Sequence, residues 1–139
     1  MILPITLTIA GAAALINLWL GIRVGQVRTA AGVSIGDGGN PHLIARMRAH
    51  ANFTEYTPFV LILIGLIEYA QGTSLWLWAV GGVYLLGRVL HPFGMDGLKP
   101  ARMAGTMITM LALLGLGLYA ISIPYFTPQA TVTEITAIG

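Results

Sequence analysis

From Met1 to Ile22 the chain carries no charged side chain. At about 1.5 Å per residue, a helix of that length matches the roughly 30 Å hydrocarbon core of a bilayer. No Lys or Arg precedes this run, and Arg23 and Arg28 follow it, which is not the pattern of a cleaved signal peptide. Pro4 falls in the first turn, where proline is tolerated. The remaining 117 residues repeat the theme, since only 9% of all 139 residues are charged and 56% are hydrophobic. A soluble domain carries about 25% charged residues. A chain this poor in charge cannot cover a water-facing surface, so most of its surface is expected to face lipid.

The length suits one domain over residues 1–139, with no linker, low-complexity tract or internal repeat. Ala31 to Asn40 reads as a flexible loop containing Gly32, Gly36, Gly38 and Gly39. It lacks the Gly-Lys-Ser/Thr ending of a phosphate cradle. Asn40-Pro41 reads as an N-cap followed by proline at the first helical position, opening a second helix to about Tyr69. Gln71 to Ser74 makes a turn, and a third helix follows from Leu75 to about Leu90. Gly81, Gly82 and Gly87 offer close helix contacts there. His91 to Pro100 reads as a polar connection and Pro100 to about Ile123 as a fourth helix. Pro124 to Gly139 has no assignable structure. The expected fold is all-α, a membrane bundle of four helices crossing four times.

The basic residues set the orientation. Arg23, Arg28, Arg46 and Arg48 flank the first connection, and Arg88, Lys99 and Arg102 flank the third. The positive-inside rule places both connections in the cytoplasm and both termini outside, in a bacterial-type inner membrane. Tyr69, Trp76 and Trp78 then belong to the outer aromatic belt. The net charge of +2 comes from these few topology residues, which argues against nucleic acid as a partner. The chain has no cysteine, hence no disulfide, thiolate metal site or cysteine nucleophile. His42 and His50 lie eight apart without a His-Glu-x-x-His pattern, so no metal site is expected.

Ionisable groups inside membrane helices cost about 2.5 to 3.5 kcal/mol each at the helix centre. Arg48, Asn52 and Glu55 fall at i, i+4 and i+7 of the second helix, on one face, with Tyr56 beside them. Arg88, His91 and Arg102 bracket the same cytoplasmic boundary. Arg48 and Glu55 could simply neutralise one another, and Arg23 and Arg28 could be snorkelling anchors. For Arg23 the anchor reading is preferred. For the stripe, an Asn and spare arginines beside the pair favour an anionic, partly polar ligand.

The segment from Arg48 to Pro58 resembles the signature of the MAPEG superfamily, the membrane-associated proteins of eicosanoid and glutathione metabolism. Its members carry Arg-x-x-x-Asn-x-x-Glu, often followed by Tyr-x-Pro, at the start of the second helix. Gly25-Gln26-Val27-Arg28, Gly87-Arg88-Val89 with His91, and Arg102 are similar to further family positions, so the resemblance covers nearly the whole chain. It implies a homotrimer with glutathione between subunits near the cytoplasmic face. Arg48, Asn52, Glu55 and Tyr56 would bind the tripeptide, with Arg28, Arg88 and His91 as further contacts. Arg102 would activate the thiol. Ala45 and Met95 depart from the pattern, standing where other members have an arginine and a tyrosine.

A free cysteine thiol has a pKa of about 8.5, and a nearby cation or helix N-terminus lowers it. Arg102, two residues after Pro100, is placed to combine both effects on the sulfur of bound glutathione. A lipophilic substrate would arrive laterally from the membrane lipid. The resemblance thus implies a transferase acting on lipophilic electrophiles, or a peroxidase acting on lipid hydroperoxides. The alternatives are a non-catalytic lipid-binding member of the same superfamily and a small multidrug exporter. The exporter needs a membrane-embedded acid in its first helix, and residues 1–22 hold none.

Overall fold

The computed structural model describes residues 1–128. It is built from four helices, α1 (Pro4–Ala31), α2 (Pro41–Gln71), α3 (Leu75–Met95) and α4 (Lys99–Phe126). α1, α2 and α4 are long and apolar enough to cross a membrane. At 28 to 31 residues they reach roughly 42 to 46 Å, well beyond a hydrocarbon core. α3 is shorter, at 21 residues, and carries Arg88 and His91 in its C-terminal half.

Local chemistry explains the ends. Asn40 caps α2 as its sequence position predicts, its side-chain oxygen accepting from the backbone N–H of His42 at 3.0 Å and of Leu43 at 3.1 Å. α1 runs on to Ala31 and stops where Gly32 takes φ 66°, a left-handed conformation that glycine adopts without steric cost. Two helices run past the ends that the sequence suggested, each through a proline. α3 continues through Pro92 to Met95, and α4 continues through Pro124 to Phe126. Proline removes one backbone bond, and in a packed bundle neighbouring groups compensate. Around Pro92, α3 packs closely on α4. A Cβ on Gly105 would sit 2.6 Å from the Gly87 carbonyl oxygen and 2.8 Å from the His91 Cβ, and one on Gly94 would overlap the Arg102 backbone. Of the expected tail, residues 124–126 therefore belong to α4, while 129–139 lie outside the described residues.

α1 packs on α2 and α3 on α4, while α2 touches all three other helices. α1 and α4 do not meet among the described residues. The main core joins Ile5, Ile9, Val60, Ile64, Leu77 and Tyr84, and Leu116 reaches it from α4. Gly81 admits Ile9 and Gly87 admits Ile108, as expected of small residues at helix crossings, whereas Gly82 faces open space. Trp78 packs against the core rather than joining an exposed belt with Tyr69 and Trp76.

Both ends of the bundle are tied by polar groups. At one end Glu68, 1% exposed, accepts from the backbone N–H groups of Ile5 at 3.0 Å and Thr6 at 2.8 Å. The hydroxyls of Thr6 and Thr73 also donate to it, at 2.7 and 3.0 Å. Leu3, the local N-cap position of α1, supplies no side-chain bond, so a carboxyl group from α2 does that work. At the other end Arg23 and Arg46 both engage Asp96 in the α3–α4 turn. The first and third connections therefore share one end of the bundle, as the basic residues suggest. Arg23 does not snorkel. It is 7% exposed, and its guanidinium lies over the rings of Trp19 and Phe93, because an acid and two aromatic faces are available inside the bundle.

Candidate functional site

Arg88 lies on the buried face of α3 and is 1% exposed. One guanidinium nitrogen donates to Asn52 Oδ1 of α2 at 2.8 Å, and the other terminal nitrogen donates to Thr109 Oγ1 of α4 at 3.0 Å. The Thr109 hydroxyl in turn donates to the Gly105 carbonyl at 2.9 Å. Phe53 presents its ring 5.5 Å from the guanidinium carbon. All of these partners are neutral, and no carboxylate pairs with Arg88 among the described residues. Its Nε is buried without a hydrogen-bond partner. A buried cation without a counter-charge is costly, and its field favours an anion placed nearby.

Asn52 is oriented by this contact. Its carbonyl oxygen is taken by Arg88, which leaves its amide N–H₂ free to donate on the half-exposed side. Tyr56, one turn further along α2, lies close enough to Arg88 to feel its charge. Arg48 and Glu55 continue the same face outward, with side chains 61% and 52% exposed and a separation of 4.0 Å. So loose and exposed a pair is worth roughly 0 to 1 kcal/mol. It is not a structural ion pair, and both side chains remain available to a ligand or a neighbouring molecule.

His91 follows Arg88 by one turn and is 3% exposed, with Nδ1 unpartnered. Arg88 and Arg102 are the charges that act on it. Arg102 is exposed in the first turn or so of α4, and its side chain makes no hydrogen bond or ion pair among the described residues. Its backbone is fixed by contact with Gly94. Asn52, Tyr56, Arg88, His91 and Arg102 thus gather at the end of the bundle that holds the first and third connections. Arg28 stands apart from them. Its guanidinium is committed to the 32–40 loop, donating to the Gly36 carbonyl at 2.7 Å, with a longer contact to Met47 Sδ at 3.5 Å.

Thr109 was not singled out by its sequence. The signal was present, because Arg102, Gly105 and Thr109 lie at i, i+3 and i+7 of α4, on one face. An apolar groove of about 610 Å³ lies between α3 and α4, lined by Val83, Ile108, Leu111, Ala112 and others, and flanked by Trp76 and Tyr119 at its far end. Those two rings meet edge to face, with centroids 5.0 Å apart.

The model of the MAPEG family matches residues 6–122. Inner membrane protein YecN of Escherichia coli strain K12 is 33% identical over 103 residues, which cover 73% of this chain and 78% of that protein. The protein of the same name from Escherichia coli O6:H1 matches to the same extent. With three membrane-length helices and this match along most of its length, the chain is a multi-pass membrane protein that belongs to the MAPEG family.

Proposed function

We propose that the protein is a membrane-bound glutathione-dependent enzyme, a transferase of lipophilic electrophiles or a peroxidase of lipid hydroperoxides. The observation that carries this reading is Arg88, a buried cation whose partners among the described residues are all neutral, together with Arg102, whose side chain has no partner among the described residues. Together they give one end of the bundle an uncompensated positive field, which suits a tripeptide with two carboxylates and an ionisable thiol. Membership of a family that includes glutathione-dependent enzymes supports the same ligand.

In this reading the Asn52 amide and the exposed Arg48 and Glu55 hold the peptide, since they offer two kinds of donor and an acceptor for its ammonium group. Tyr56 and His91 border the same space. Arg102 and the N-terminal end of α4 stabilise the thiolate. The electrophile enters from the bilayer along the α3–α4 groove, whose lining residue Ile108 lies six residues, or about 9 Å, along α4 from Arg102. In the transferase reaction the thiolate forms a bond to the electrophilic carbon as the bond to the leaving group breaks and that group departs with the electron pair. In the peroxidase reaction it attacks the outer peroxide oxygen, and the O–O bond breaks to release the lipid alcohol after protonation. A second glutathione thiol then displaces water from the sulfenic acid to give the disulfide. Four crossings, with the site on the cytoplasmic side and both termini opposite, follow from the distribution of arginines. Arg28 serves the loop in one protomer, and its part in the ligand site is the least supported by its contacts.

Glutathione binding by the purified protein in detergent, followed through the ultraviolet absorbance of the thiolate, tests the proposal. Binding with thiolate formed at neutral pH is the expected result. No binding, with the helices intact by circular dichroism, would sink it.

A further inference from the structure

Asp96 belongs to none of the ligand contacts above, yet it joins three parts of the bundle. It follows the last residue of α3, ion-pairs with Arg23 of α1, and accepts from Arg46 Nε of α2 at 3.1 Å. Arg46 also reaches the Arg23 carbonyl at 3.5 Å. The arginine from α1 is stacked on Trp19, 4.9 Å from its ring, and on Phe93 of α3, 5.4 Å away. The side chains of Arg23 and Asp96 are 8% and 22% exposed, so water screens the cluster far less than a surface pair. On its other side the end of α3 is fixed by Gly94, which lies against the Arg102 backbone.

The positions of these residues along the chain give the cluster a consequence. Arg46 is two residues from Arg48 on α2, and Asp96 is six residues before Arg102. One carboxylate therefore ties the helix that presents Arg48, Asn52 and Glu55 to the turn that leads into Arg102. We propose that Asp96 is a positioning residue. Clamped by Arg23 and Arg46, it sets the spacing between the ligand-holding face of α2 and the arginine at the start of α4. The inference rests on the glutathione reading, and it predicts that thiol activation and peptide binding separate when the clamp is loosened. Small displacements of a reacting group, of about 1 Å, can cost about a hundredfold in rate.

The test compares glutathione affinity and the thiolate absorbance of bound glutathione in wild type, Asp96→Asn, Asp96→Glu, Arg46→Gln and Arg102→Leu. Asp96→Asn should keep affinity within about threefold while the thiolate fraction at neutral pH falls about tenfold. Asp96→Glu, which keeps the charge, should restore most of it. Arg46→Gln removes only the more exposed arm, so it should fold and show a smaller loss of the same kind. If Asp96→Asn does not fold, Arg46→Gln decides. Wild-type thiolate in the clamp variants, with loss in Arg102→Leu, would overturn the clamp and leave the glutathione reading standing. Parallel loss of affinity and thiolate without rescue by Asp96→Glu would reduce Asp96 to a general structural role and also overturn the inference. Full thiolate in Arg102→Leu would overturn the role of Arg102 in thiol activation, and the clamp with it, whereas only an absence of glutathione binding by the wild type would overturn the glutathione reading itself.

Discussion

Arg88 has three neutral neighbours and a full charge, a combination that burial makes expensive. Replacing it with methionine removes the desolvation cost while filling much of the same space. Arg88→Met should therefore leave thermal stability in detergent unchanged or raised, while glutathione affinity falls about tenfold or more, as loss of a charge-assisted contact implies. Calorimetric titration beside a melting curve separates the two effects, and equal loss of stability and affinity would contradict this account. Arg48→Ala and Glu55→Gln should each weaken binding by roughly tenfold with no change in melting, because an exposed pair 4.0 Å apart contributes little to the fold. At this scale the sequence showed the Arg48, Asn52, Glu55 stripe clearly, since helical spacing alone aligns it. It could not show that Arg88 bonds Asn52, nor that Arg28 is spent on its own loop, because both depend on how helices pack and how the loop turns.

Among the elements, α3 shows most plainly where sequence reasoning stops. The stretch from His91 to Pro100 read as a polar connection and suggested an end near Leu90, yet the helix persists through Pro92 to Met95, with α4 packed against its glycines. Gly94→Ala should therefore be poorly tolerated. Its methyl group would overlap the Arg102 backbone, so a fall in melting temperature together with impaired thiolate formation is expected. Gly82→Ala, on the same helix but facing open space, is the control and should melt as wild type. The α1–α2 pair offers a second case. Glu68→Gln keeps the shape but turns one acceptor into a donor facing the Thr6 N–H and hydroxyl. A loss of about 1 to 3 kcal/mol is expected in reversible unfolding. Glu68 carried no sequence signal as a cap, because the residues it serves are more than sixty positions away.

For the whole molecule, the sequence made four helices and the shared end of the first and third connections legible through charge and hydropathy; it read all four helices as crossing, and three of them are of membrane length. What binds the exposed stripe on α2 is a question about more than one chain. Native mass spectrometry in detergent should show three protomers, and glutathione binding should be lost when they are separated. A monomer with full affinity would place the whole site within one bundle. The capping of α1 by Glu68 also bears on the order of assembly. The N–H groups of Ile5 and Thr6 are made before Glu68, and as first-turn groups they have no acceptor within their own helix. The first helix thus enters the membrane with an unfinished end, and only the return of the second helix to that side completes it. The first two helices are in this sense a single unit of assembly, each incomplete at that end without the other.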